Sequence, residues 1–275
     1  MTTRPSYAAV FATFARNSLV RDMMFRGNFL IECGTSIAWS AMNFCFYLVL
    51  FHYTPEISKG SGWTKNPFFV FLATSMIVNS VLQVFILPNM DRFSELIRKG
   101  DLDFILLKPI DTQFAVSFER IKWSGLSTTL IGIALLVYGL KNIEFTPGPI
   151  EVTLYIVYIA CGVAILYSVI VSLAAASVVM GRNQTLYDFW FSLTIFSRYP
   201  MEIYTGRLGT PLRLGFSFLI PILLAINVPA RFMAKPLARG EGALAGYAII
   251  AAVASLLMSR WIFKRALRGY RSASS

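Results

Sequence analysis

The chain has 275 residues, of which 56% are hydrophobic and only 14% charged, and that balance excludes an ordinary soluble domain. Its net charge of +11 does not mark a nucleic-acid binder, because Lys and Arg gather beside the apolar runs and no basic soluble module remains once those runs are set aside. The single histidine excludes a histidine-based catalytic triad and a His-x-x-x-His zinc pair.

Residues 1–28 form an N-terminal segment in which Tyr7, Val10, Phe11 and Phe14 share one helical face while Arg16, Arg21 and Arg26 punctuate the rest. That pattern suits a helix lying in a membrane interface, with a disordered basic leader as the alternative. Uncharged runs near the roughly 20 residues that a helix needs to cross a bilayer follow, so the predicted fold is an all-α integral membrane protein with a six-helix bundle. The predicted transmembrane domain covers 29–263, with spans at about 29–51, 67–87, 123–140, 152–179, 186–205 and 243–263, and a basic tail at 264–275. Cys33, Cys45 and Cys161 lie inside the apolar runs. Cys33 and Cys45 are about 18 Å apart along one helix, too far to bridge.

The stretch 54–65 is rich in Gly, Pro and Ser and reads as a loop. The stretch 89–122 carries Arg92, Arg98, Lys99, Lys108, Arg120 and Lys122, which by the positive-inside rule makes it cytoplasmic, together with both termini. Along the fourth span Ala160, Ala164, Ser168, Ser172 and Ala176 recur every four residues, a small-residue face that permits close helix contact. Beyond Arg182 the pattern breaks. Either 186–205 is the fifth span and about 211–230 is re-entrant, or the later segment spans and the earlier one lies at the interface. Glu32 and Asp188 are the ionisable residues within spans, both near span ends where they either reach the interface or pair with Arg26 or Arg182.

No G-x-x-x-x-G-K-[ST] phosphate loop is present, so the chain has no P-loop route to ATP hydrolysis. The most informative segment is the charged loop. Phe93, Leu96 and Ile97 share a helical face opposite Glu95, Arg98 and Lys99; Gly100 is a natural helix stop; and a second apolar cluster from Leu102 through Leu106 and Leu107 ends at Lys108-Pro109. Such a helix outside the membrane needs a covering surface, which is a partner, its own bundle or lipid headgroups.

The run from Glu95 through Gly100, Leu102 and Asp103 to Leu107-Lys108-Pro109-Ile110 resembles the loop between spans 2 and 3 of bacterial ABC type-2 exporter permeases. Arg198-Tyr199-Pro200 with Ile203-Tyr204, and Phe218 to Pro221 followed by Val228-Pro229-Ala230, are similar to that family as well. The resemblance implies a permease of the bacterial inner membrane that pairs with a second permease, identical or related, and docks two copies of a P-loop ATPase through the loop. It implies no cofactor and no catalysis in this chain, with ATP and Mg on the partner. A membrane enzyme or a non-transporting scaffold is the alternative; the former is disfavoured because Glu32, His52, Asp101, Asp103 and Asp188 are scattered over both sides of the membrane. The many aromatics and methionines and few fixed charges of the spans favour an amphipathic or hydrophobic substrate.

Overall fold

The computed structural model describes residues 6–58, 60–144, 146–180, 184–235 and 241–270, all of it helices, turns and loops apart from one isolated bridge between Glu56 and Thr64. Helix α1 (Tyr7–Met24) is held by the protein. Tyr7 meets Phe114 edge-on, Phe11 packs on Phe85 and Phe118, and the buried Ser18 Oγ accepts the Ile121 amide at 3.0 Å. The chain breaks at Phe25 and continues as α2 (Arg26–Tyr53), which is buried over only a small part of its length. Helix α3 (Lys65–Phe85) is the most enclosed of the long apolar helices. The charged segment then forms three short helices, α4 (Leu87–Lys99), α5 (Leu102–Leu106) and α6 (Thr112–Phe118).

Helices α7 (Leu126–Lys141) and α8 (Pro149–Met180) follow, then α9 (Gln184–Phe196), α10 (Gly206–Leu214) with a π turn at Gly215–Leu219, α11 (Leu224–Ala234) and α12 (Glu241–Arg268). Five of these helices, α2, α3, α7 with its preceding turn, α8 and α12, are long and apolar enough to cross a membrane. A sixth candidate is the bent pair Gly206–Leu219 and Leu224–Ala234, whose limbs meet at 95°. At 11 residues α11 is about 16 Å long and does not cross alone.

Glycine spacing explains how the central helices approach. Gly125 in the turn before α7 and Gly132 and Gly139 on α7 recur every seventh residue, on the side that faces α3. A Cβ there would stand 2.8 Å from Val84, 3.0 Å from Ile77 and 2.9 Å from Val70 respectively. Gly162 plays the same part on α8, where a Cβ would run into the Ala225 carbonyl of α11. Helix α11 consequently fills the interior: of its residues only Arg231 is not fully buried.

The two ends of the bundle differ in charge. At the basic end Arg92 pairs with Glu119 at 2.7 Å, Lys122 with Glu32 at 3.3 Å, and Arg260 with Asp111. At the opposite end the fully buried Trp63 donates its indole N–H to Glu202 at 2.9 Å, Glu202 pairs with Arg231, and the Lys235 ammonium sits 4.3 Å from the Trp63 ring centre while donating to the Ser61 carbonyl. Asn227 Oδ1 also accepts the Met201 amide at 2.8 Å. These contacts hold the beginning and the end of the bent segment together at one end of the bundle.

Candidate functional site

The site is built on α4 to α6 at the basic end. Pro88 opens α4, where a missing amide hydrogen costs nothing, and Gly100 closes it in the left-handed conformation (φ 78°), donating its amide to the Ile97 carbonyl at 3.3 Å. The apolar stripe of this helix faces inward. Phe93 is fully buried, with its ring 5.6 Å from that of Phe263 on α12, Leu96 is 7% exposed, and Ile97 packs half-buried on the same core. Of the three surfaces that could cover this face, it is the protein's own bundle that does so, and the face is not available to a partner. Periodicity identifies a face that needs covering but not what covers it.

What the loop offers outward is its second cluster. On α5, Leu102 and Ile105 point into the core, whereas Phe104 is 70% and Leu107 82% exposed, with Leu106 beside them. Lys108 and Pro109 continue this exposed tip, and Glu95 and Arg98 flank it in solvent, Glu95 lying 4.0 Å from Lys99. Asp103 is half-buried. Phe104 is the member of the tip that the sequence pattern did not single out.

The tip is anchored through Asp111, which caps α6 by accepting the Phe114 amide at 3.0 Å and is gripped by both guanidinium nitrogens of Arg260 on α12. Arg260 also donates to Gln113 Oε1 at 3.0 Å. Gln113 in turn donates to the Tyr167 hydroxyl of α8 at 3.1 Å, and Ser117 shares that hydroxyl at 3.0 Å. The Arg260 guanidinium holds the Asp111 carboxyl below the usual carboxylate range, whereas burial and the neighbouring Glu95 push Asp91 up. A chain of polar contacts thus ties the tip to α8 and α12. Asp111 and Arg260 are 149 residues apart, so no local sequence pattern signals their pairing.

The other predicted residues have separate places. In the small-residue stripe, Ser168 is buried and Ala164 packs half-buried toward α12, but Ala160 is exposed, and the Ser168 and Ser172 hydroxyls return to their own helix at 2.7 Å. The surface that meets α8 on α12 is Ala245, Ala248, Ala251 and Ala252, a second small-residue pattern. At the opposite end, Pro200 precedes the turn Met201–Ile203, the Tyr204 hydroxyl donates to the Phe196 carbonyl at 2.8 Å, Pro221 lies in the 95° bend and Pro229 inside α11, while Tyr199 is exposed. Glu32 pairs with Lys122 and accepts the Ser124 hydroxyl at 2.6 Å rather than meeting Arg26. The pairing of Asp188 with Arg182 falls outside the described side chains. Among the described residues no three His, Cys, Asp or Glu side chains converge on a metal site.

The family model for ABC-2 family transporter protein matches residues 37–274, nearly the whole chain. No curated protein and no solved structure matches it. With apolar helices of spanning length and this match, the chain is a multi-pass integral membrane protein, and it belongs to the ABC-2 transporter family.

Proposed function

We propose that the chain is the permease subunit of an ATP-binding cassette exporter, driven by two copies of a separate P-loop ATPase that dock on the tip around Phe104, Leu106 and Leu107. The observation that carries this reading is an exposed apolar tip tied by Asp111 and Arg260 to the long helices α8 and α12. Exposed aromatic and aliphatic side chains are what a partner groove takes, and a rigid tie converts motion of the tip into motion of the helices. Glu95 and Arg98 set orientation at the rim. ATP and Mg belong to the partner, and this chain performs no reaction of its own.

In this reading the basic end, with both termini, faces the cytoplasm of a bacterial cell, and the protein sits in the inner membrane. Helix α9 with the turn after it carries the fifth crossing, and the bent pair is re-entrant from the outer side. That assignment is supported by the Glu202–Arg231 and Met201–Asn227 contacts, which bring its two ends together. Because α11 fills the interior of the bundle, the path lies between two permease chains, identical or related. An amphipathic or hydrophobic substrate suits such a lining. The experiment is copurification of the full chain with its ATPase: the isolated chain has no ATP turnover and the complex has it. Robust hydrolysis by the chain alone, or a transporting complex with one permease by native mass measurement, overturns the reading.

A further inference from the structure

At the basic end an open cleft of about 580 Å³ lies between α1, the first turns of α2 and the segment 120–122, and three basic side chains and two carboxylates line it. Arg21, Arg120 and Lys122 line it with Phe25 and Phe29. Its two carboxylates, Asp22 and Glu32, already have partners within and beside the cleft. Glu32 holds Lys122 at 3.3 Å and the Ser124 hydroxyl, and Asp22 accepts the Trp123 amide at 3.1 Å, with Arg21 at the outer limit of pairing at 4.0 Å.

The Arg120 guanidinium is the exception. Its backbone is pinned, since Asn89 Oδ1 accepts the Arg120 amide at 2.7 Å and Asn89 Nδ2 donates to its carbonyl at 2.6 Å, yet its side chain has no hydrogen bond or ion pair among the described residues. Burial together with the like charges of Arg92 and Arg21 pushes its pKa down, and Glu119, which is occupied by Arg92, and Glu95 offset this in part. A guanidinium does not escape by losing its proton, so Arg120 stays charged, and an anion that enters the open cleft replaces the water on it with a charge-assisted contact. The mouth supplies the second half of the description. Met24, Phe25, Leu30 and Ile31 are all exposed where α1 gives way to α2, an apolar rim beside the cleft.

We infer that this cleft binds the phosphate of an anionic phospholipid, with Arg120 and Arg21 on the phosphate oxygens and the acyl chains leaving past Phe25 and Phe29. Arg matches phosphate oxygens in a fork geometry, and basic pockets between membrane helices are established headgroup sites. A zwitterionic headgroup fits less well, because Asp22 and Glu32, the carboxylates that would take its cation, are already held by the Trp123 amide and by Lys122 and Ser124. The inference is independent of the ATPase docking proposed above.

The test is native mass spectrometry of the full chain released from detergent after incubation with phosphatidylglycerol or with phosphatidylcholine of the same acyl chains. The parent retains phosphatidylglycerol preferentially, and Arg120→Gln lowers its affinity about tenfold, equivalent to about 1.4 kcal/mol. Lys65→Gln, the same charge change on an exposed lysine at the opposite end of the bundle, leaves retention unchanged. Arg21→Gln lowers retention in the same direction and serves if Arg120→Gln does not fold. Excess inorganic phosphate leaves the lipid bound. Equal retention of the two lipids, equal retention by Arg120→Gln and Lys65→Gln, or displacement by inorganic phosphate, which would assign the cleft to a soluble phosphate, each overturns the lipid site.

Discussion

Truncating Leu107 to Ala separates docking from packing at the basic end. Leu107 is 82% exposed, so its side chain contributes almost nothing to the stability of the chain alone, and any loss on truncation belongs to a partner. Full burial of a leucine side chain is worth about 1.5–3 kcal/mol. A loss near the middle of that range, about 2 kcal/mol, weakens ATPase binding roughly 30-fold. Phe104→Ala acts in the same direction, and because the two side chains are neighbours the double variant need not equal their sum. Leu96→Ala does the opposite. At 7% exposure beside the core it leaves a cavity worth roughly 2–5 kcal/mol of stability, lowering the thermal midpoint of the chain without removing a docking contact. The assay pairs ATPase affinity for the full chain in nanodiscs with thermal unfolding of the chain alone. If Leu107→Ala and Phe104→Ala bind the ATPase at parental affinity while Leu96→Ala abolishes binding at parental stability, the assignment of inner and outer faces is refuted.

Gly162→Ala forces a methyl into the Ala225 carbonyl and costs about 1–3 kcal/mol by overpacking, whereas Gly246→Ala, with open space around its Cβ, is neutral; differential scanning in detergent distinguishes the two. Asp111→Asn keeps an acceptor for the Phe114 amide but removes the charge facing Arg260, costing about 1 kcal/mol, between the values for exposed pairs and charged hydrogen bonds. Because the folded Asp111 pKa is depressed, the stability it contributes is fully present above the ordinary carboxylate value of about 3.9 and is lost as pH falls through the folded value. The parent-minus-Asp111→Asn difference in unfolding midpoint is therefore flat from neutral pH to about pH 5 and shrinks on stronger acidification. Trp63→Phe keeps a ring beneath Lys235 but deletes the donor to Glu202 and leaves a gap where the larger indole was fully buried; a loss above the roughly 0.5–1.5 kcal/mol of the hydrogen bond alone is expected by the same scan.

Much of this protein was legible in the sequence because the bilayer imposes simple terms. Span length, apolar runs and the gathering of Lys and Arg follow from the cost of burying charge and unpaired backbone in hydrocarbon, and those terms act residue by residue along the chain. The short amphipathic α4, its stop at Gly100 and the break at Pro221 were equally local. The direction in which α4 turns its stripe was not. Phe93 and Leu96 are apolar whichever surface covers them, and only the arrival of Phe263, 170 residues later in the chain, decides that the surface is internal. The heptad of Gly125, Gly132 and Gly139 was present in the sequence, but its meaning depends on α3 lying against that face.

The sequence by itself determined a multi-span helical membrane protein with a charged loop suited to a partner, and its resemblance pointed to the family that the profile match establishes. Tertiary structure alone decided which side chains of the loop are exposed, that Asp111 is locked to Arg260, that Trp63, Glu202 and Arg231 close the opposite end, and that the Arg120 side chain has no partner among the described residues in its cleft. The physical reason is distance along the chain. Periodicity and hydropathy report what a residue needs within a few turns of its own helix, whereas ion pairs, cavities and covered faces are made by segments a hundred or more residues apart that meet only when the bundle closes.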